Sequence, residues 1–346
     1  MRVLQVDSGR EWRGGQNQVR LLCREFTSHP DVQNNLITAF GSKLADRARA
    51  DGASVIETSW DIGLSPSAWF ALKRAINDFQ PDIVHVHDSH SLSLALWQPR
   101  KRDPYVLIAH RRVDFHVKRR SGWHRADRII AVSAGVKRVL VEDGVNERDI
   151  VVIHDGIDPE EIRANAERAP DIRMRLSLPA DAPLAINVAA LVDHKDQATL
   201  IRAAAAARAR APHLHWVIAG EGPLRESLQR EIANLQVGDI VHLVGYVDPV
   251  DALIREASVF VMSSKEEGMG SVMLHALELE RPVVATAAGG LPEVVPPEWL
   301  VPVGDAEALA TKTLVALEQR PRTSLPARFT AKSMAEATLA QYRLLA

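Results

Sequence analysis

The sequence predicts an α/β protein built from two doubly wound parallel sheets, one after the other along the chain. Three observations carry this reading. The 346 residues exceed one ordinary core; short β-branched runs alternate with helix-length stretches; and that alternation breaks once near the middle and then restarts. An apolar share of 46% with 25% charged residues is ordinary globular composition.

The first series of strands is expected at Val3–Val6, Asn35–Ala39, Ser54–Thr58, Ile83–Val86, Tyr105–Ala109, Ile129–Val132 and Val151–Ile153. A polar, helical interlude follows around Pro159–Arg175. The rhythm resumes at Ala185–Ala189, His215–Ala219, Ile240–Leu243, Val259–Ser263 and Val283–Thr286. The join holds prolines and charges but no glycine-serine linker, so the domains are expected to span 1–165 and 166–346 and to sit close together with a cleft between them. The segment 333–346 has helical spacing in Met334, Ala337, Leu339, Tyr342 and Leu345. Coming after the second sheet is complete, it is expected to pack back on the first domain.

Composition excludes several function classes. The one cysteine, Cys23, shares a helical stripe with Val19, Leu22 and Phe26, which reads as core packing and excludes disulfides and cysteine-based metal sites. No apolar run reaches the length of a membrane span. The N-terminus reads as a short strand rather than a signal peptide, and a cytoplasmic location is expected. A net charge of −2 argues against a general nucleic-acid binder. The charge is uneven, however: from Trp97 to Arg128 ten lysines and arginines stand against three aspartates. With Trp97, Tyr105, Phe115 and Trp123 interleaved, this face is expected to dock peripherally on anionic lipid or on a charged, membrane-linked acceptor.

The chemistry concentrates in the stretch Val259 to Thr286, which runs strand, glycine loop, helix, strand. Gly268 and Gly270 free the backbone for close approach. The amides at the following helix start, near Ser271 and Val272, form a cradle for a diphosphate. By itself such a loop also fits a plain chain reversal, Gly14 and Gly15 also fit a plain turn, and Lys195 a solvated surface lysine. His110 ends the strand Tyr105–Ala109 at the carboxyl edge, where doubly wound sheets bind ligands, though a structural histidine fits there too. His85, His87 and His90 alternate along one strand and its exit. No acidic ligand follows them, so no metal site is assigned.

The residues Glu267-Gly-Met-Gly, Val272-Met-Leu-His-Ala, Arg281-Pro-Val-Val-Ala-Thr and Gly289-Gly-Leu-Pro-Glu293 resemble the donor-site signature of the retaining family 4 glycosyltransferases. The likeness covers nearly the whole chain, through Gly14-Gly15-Gln, Pro81-Asp-Ile-Val-His-Val-His, Ala126-Asp-Arg-Ile-Ile-Ala-Val-Ser, His154-Asp-Gly-Ile-Asp158, Leu191–Lys195 and Gly220-Glu-Gly-Pro-Leu224. It implies the GT-B fold, two Rossmann-like domains facing each other across a cleft. It also implies a nucleotide-diphosphate sugar as donor, a glycan or lipid-linked acceptor, and no cofactor.

Carried over residue by residue, the resemblance makes Glu267 the ligand of donor-sugar hydroxyls, and the backbone of Gly268, Met269, Gly270, Ser271 and Val272 the seat of sugar and phosphates. Lys195 would neutralise the leaving diphosphate, Gly14 and Gly15 would let phosphate and acceptor approach, and His110 would face the donor sugar. Metal-dependent sugar transferases offer an Asp-x-Asp pair, and no two aspartates of this chain stand two positions apart. The chain departs from the family at His275, where a second glutamate normally grips the ribose, and at Ala190, where an arginine is common. His275 is expected to be a substituted, tolerant ribose contact, with Glu278 one turn on. Two other readings remain open: a sugar-nucleotide epimerase, and a non-catalytic sugar-nucleotide binding protein.

Overall fold

The β-branched runs pair as strands: most are buried on both faces, which leaves the neighbouring backbones as the available hydrogen-bond partners, while the edge run Ser54–Thr58 is only half-buried. The computed structural model describes residues 1–60, 65–98, 105–119, 121–168 and 172–346. Within these the chain divides into two units, Met1–Ile157 with Ala327–Ala346, and Asp158–Pro326.

The first unit contains β1 (Arg2–Asp7), β2 (Gln33–Ala39), β3 (Ser54–Thr58), β4 (Ile83–Val86), β5 (Val106–Arg111), β6 (Arg128–Ala131) and β7 (Ile150–Val152), in the order β3-β2-β1-β4-β5-β6-β7. All the pairings are parallel. The second contains β8 (Leu184–Val188), β9 (His215–Ala219), β10 (Val241–Gly245), β11 (Val259–Met262), β12 (Val283–Thr286) and β13 (Leu300–Val301), in the order β10-β9-β8-β11-β12-β13, again parallel. These are two Rossmann-like sheets. The two-residue β13 is absent from the sequence reading, being too short to show any period.

Several helices start where the sequence supplies caps. Ser42 accepts the Ala45 amide at 3.2 Å, and Asp158 accepts those of Glu160 and Glu161 at 2.9 and 3.2 Å, with Pro159 in the first helical position. That last cap moves the domain boundary from 165/166 to 157/158. The Ile157 amide donates to the Phe329 carbonyl at 2.9 Å, and its carbonyl accepts the Ala331 amide at 2.8 Å, so Ile157 is stitched to the returning C-terminal segment. A side chain on Gly156 would lie 2.3 Å from the Thr330 carbonyl oxygen, so only glycine lets the two backbones meet. One residue later the helix Pro159–Ala166 belongs to the second unit, where Asn165 donates to Asp251 at 3.1 Å.

The C-terminal helix Ala331–Leu345 lies in the first unit. Its buried Met334, Ala335, Leu339 and Tyr342 join Val3, Leu21, Leu22, Phe26, Ile83, Ile108 and Ile130 in one core cluster, with the Tyr342 and Phe26 rings 5.6 Å apart. Cys23 is buried, and burial pushes its thiol up to about 12. Among the described residues no helix is long and apolar enough to cross a membrane.

Candidate functional site

In an open parallel sheet, ligands bind beyond the carboxyl ends of the strands where the strand order reverses. That point lies between β1 and β4 in the first unit and between β8 and β11 in the second.

In the first unit, register places Gln5 opposite His85 and His85 opposite Ile108, so Val3, Gln5 and Asp7, Ile83, His85 and His87, and Ile108 and His110 share one face. This face is apolar at the amino ends of the strands, where the C-terminal helix packs, and polar at the carboxyl ends. His85, His87 and His110 are all buried, and one ring nitrogen from each lies within 4.8 Å of those of the other two. His90, grouped with His85 and His87 in the sequence reading, is exposed instead. The third member is His110, which alternation along one strand does not reveal.

Arg112 organises the cluster. Its NH1 and NH2 donate to Nδ1 of His87 and of His110, both at 3.1 Å, and its Nε donates to Asp155 at 3.2 Å. His87 Nε2 bonds Gln5 Oε1 at 2.6 Å, His85 Nδ1 meets the Tyr342 hydroxyl at 2.5 Å, and the rings of His85 and His110 stack 5.4 Å apart. The Arg112 guanidinium thus stands directly against the His87 and His110 rings. Burial drives all three imidazoles well below their ordinary pKa, and the Arg112 charge and the neighbouring rings add to it.

Asp7 ends β1 beside this cluster and accepts the Gly9 amide at 2.8 Å. Burial, and then the charge of Asp88, push its carboxyl up to about 6. Gly14 and Gly15, expected in a loop, instead open the helix Gly14–Thr27. Arg13 caps that helix without a side-chain bond, so its first amides are left for other acceptors. Gly15 faces Arg112, whose Cδ would lie 4.0 Å from an added Cβ. Sequence reasoning missed Asp7, Arg112, Asp155 and Tyr342, which only the tertiary fold brings together.

In the second unit, the loop after β8 carries Lys195 and the loop after β11 carries Glu267. The two side chains form an ion pair, 19% and 10% exposed, and Ser264 Oγ donates to the same Glu267 oxygen at 3.2 Å. The two residues expected to hold the diphosphate and the donor sugar are thus neighbours in the fold. Gly268, Met269 and Gly270 are buried, and Gly270 takes φ +76° to start the helix Ser271–Glu278, whose first turn holds Ser271 and Val272. The Gly290 amide donates to the Glu267 carbonyl at 2.9 Å, tying Gly289-Gly-Leu-Pro-Glu293 to the loop.

His275 bonds through Nδ1 to Asp251 at 2.6 Å, and Asp251 is 3% exposed. Only Nε2 remains to meet a ligand. Glu278, considered as its helper, is paired with Arg163 at 2.5 Å instead.

The basic cluster of the first unit divides. Arg111 is buried over the buried Trp123 at 4.9 Å, Tyr105 is buried, and Arg112 serves the histidines. Arg100, Lys101, Arg102, Asp103 and Arg120 lie outside the described residues. Trp97, Val113, Phe115, Lys118 and Arg119 are exposed.

Comparison with known proteins places the fold in a family. Residues 12–161 match the model of Glycosyltransferase Family 4, and residues 169–334 match that of Glycosyl transferases group 1. The chain belongs to this GT-B glycosyltransferase family. The lipopolysaccharide core biosynthesis glycosyltransferase LpsE of Rhizobium meliloti is 28% identical over 236 residues, 63% of this chain and 58% of that protein. The sulfoquinovosyl transferase SQD2 of Arabidopsis thaliana is 26% identical over 283 residues, 75% of this chain and 53% of that protein. The chain thus spans little more than half the length of these curated relatives. The fold matches that of Anabaena HepE, solved with UDP and glucose, with a TM-score of 0.84, 15% identity and coverage of 99% and 100% of the two chains.

The pKa shifts fix a pH prediction. A raised carboxyl binds its proton more tightly folded than unfolded, so ionising Asp7 costs stability once pH rises from its ordinary 3.8 past about 6. Asp7→Asn is expected to be more stable than the parent by up to about 3 kcal/mol near about pH 7.5, and by about half that near about pH 5. Urea unfolding of both proteins at the two pH values checks it. The depressed histidines have the opposite sign: their contribution is full above 6.5 and is lost as pH falls below it, in parent and variant alike.

Proposed function

We propose that the chain transfers a hexose-type sugar from a nucleoside-diphosphate donor to a glycan or lipid-linked acceptor, in cell-envelope polysaccharide or lipopolysaccharide synthesis. In this reading transfer proceeds with retention at the anomeric carbon and without a metal ion. The observation that carries the proposal is the Lys195–Glu267 pair at the strand-order reversal of the second sheet, beside the glycine-opened start of the helix Ser271–Glu278.

A departing nucleoside diphosphate gathers negative charge, and a lysine together with helix-start amides stabilises it without a metal. When diphosphate draws Lys195 away, the Glu267 carboxylate, still held by Ser264, accepts sugar hydroxyls in its place. His275 Nε2 is left to accept from a ribose hydroxyl while Asp251 holds the other nitrogen. In the first unit His110 meets a sugar hydroxyl, and Gly14 and Gly15 admit phosphate and acceptor. The UDP and glucose held by Anabaena HepE and the lipopolysaccharide assignment of LpsE support the donor and acceptor classes.

Steady-state kinetics with saturating acceptor tests the roles. Glu267→Ala is expected to lose roughly a hundredfold in turnover, as when an interaction strengthened in the transition state is removed. His275→Ala is expected mainly to raise the donor KM, and EDTA to leave the parent rate unchanged. Near-parental turnover of Glu267→Ala refutes its role, and EDTA inactivation reversed by magnesium or manganese refutes metal independence. Proton NMR of the product linkage reads out retention.

Peripheral docking on anionic membrane is the second part of the proposal, supported by the exposed Val113 and Phe115 in the same loop as Lys118 and Arg119. Each cation near such a surface contributes about 1 kcal/mol. Co-sedimentation with anionic vesicles at low salt is expected to fall in a Lys118→Ala, Arg119→Ala variant. Equal partitioning of parent and variant rules the surface out.

A further inference from the structure

We propose that Arg112 is a positioning residue: it holds the His110 imidazole as the neutral Nε2–H tautomer, so that the first unit presents a fixed hydrogen-bond donor to a ligand oxygen. The function of that donor rests on the sugar-transfer reading above; the tautomer itself does not.

The argument starts from the chemistry of the guanidinium, which has five donors and no acceptor and stays protonated. An imidazole nitrogen facing it must therefore offer a lone pair. NH1 and NH2 of Arg112 stand 3.1 Å from Nδ1 of His87 and of His110, so both rings carry their proton on Nε2. At His87 that proton goes to Gln5 Oε1, 2.6 Å away, which agrees with the assignment. At His110, Nε2 is buried and has no partner among the described residues. This is the atom an incoming hydroxyl or phosphate oxygen would satisfy.

The surroundings keep this arrangement rigid. Asp155 receives Arg112 Nε at 3.2 Å, with the two side chains 10% and 7% exposed, so the guanidinium is aimed from behind. His85 stacks on His110 with the ring planes 8° apart and is itself held by Tyr342 of the C-terminal helix. The titratable groups around His110 are His85, His87 and Arg112, with Asp7, Asp155 and Tyr342 reached through them. A second positive charge on His110 would face Arg112 directly, so the ring serves neither as an acid nor, with Nδ1 occupied and Nε2 protonated, as a base. A metal ion among the three histidines would meet the same guanidinium.

Nitrogen NMR of the whole chain with labelled histidine reads the tautomer directly. The parent is expected to show unprotonated Nδ1 and protonated Nε2 on both His87 and His110, unchanged from about pH 8 to about pH 5. In Arg112→Gln, His110 is expected to populate the Nδ1–H form and to begin to titrate, and turnover is expected to fall about tenfold, the size of one misdirected hydrogen bond. Arg112→Lys keeps the charge but has no fork, and should preserve the tautomer at no more than one of the two rings. An Nδ1–H or imidazolium signal for His110 in the parent overturns the proposal, whether or not the variants fold. A parent with the expected tautomers that transfers no sugar leaves the Arg112 assignment standing and sinks the transfer reading instead.

Discussion

In each unit one largely covered ion pair stands at the point where the strand order reverses. In the first unit it is Arg112 against Asp155, and in the second Lys195 against Glu267. Burying an ion pair takes two charges out of water, and their mutual attraction only repays that cost with good geometry and further hydrogen bonds. The chain supplies these: two imidazoles and a carboxylate around Arg112, and Ser264 on Glu267. A pair of apolar residues would be cheaper. Chemistry at the carboxyl edges, where backbone amides and ligands meet, gives a reason for keeping charge there.

The first unit shows how a core becomes a site without a change of element. Along one face of β1, β4 and β5 the side chains pass from Val3 and Ile83 to Gln5, His85 and His87, and from Ile108 to His110. The C-terminal helix covers both regimes, since Met334 and Leu339 pack into the apolar part while the Tyr342 hydroxyl reaches His85. The position of the histidines therefore depends on a helix more than two hundred residues away in sequence.

The fold was largely legible because a parallel strand buried on both faces has to be a short β-branched run, and all twelve such runs form strands. What eluded the sequence was local or long-range. Leu300–Val301 is too short to show a period, and the helix cap at Asp158 was read as part of the first domain. In the site, the alternation of His85 and His87 was visible, but their neighbour His110 lies across the strand pairing and His90 does not join them. The bonds of His275 to Asp251 and of Lys195 to Glu267 span 24 and 72 residues, and nothing local encodes them. The basic stretch from Trp97 to Arg128 divides among the described residues because charge counting does not distinguish Arg111, stacked on Trp123, from exposed Lys118.

The central claim is that the Lys195–Glu267 pair opens to receive a diphosphate. Calorimetric titration of UDP, GDP and ADP into the parent and into Lys195→Ala tests it without requiring the acceptor. The account predicts that one of the three binds the parent and that its affinity falls by about tenfold or more in the variant, the loss of one charge-assisted contact to phosphate. Undiminished nucleoside-diphosphate affinity in Lys195→Ala would contradict it.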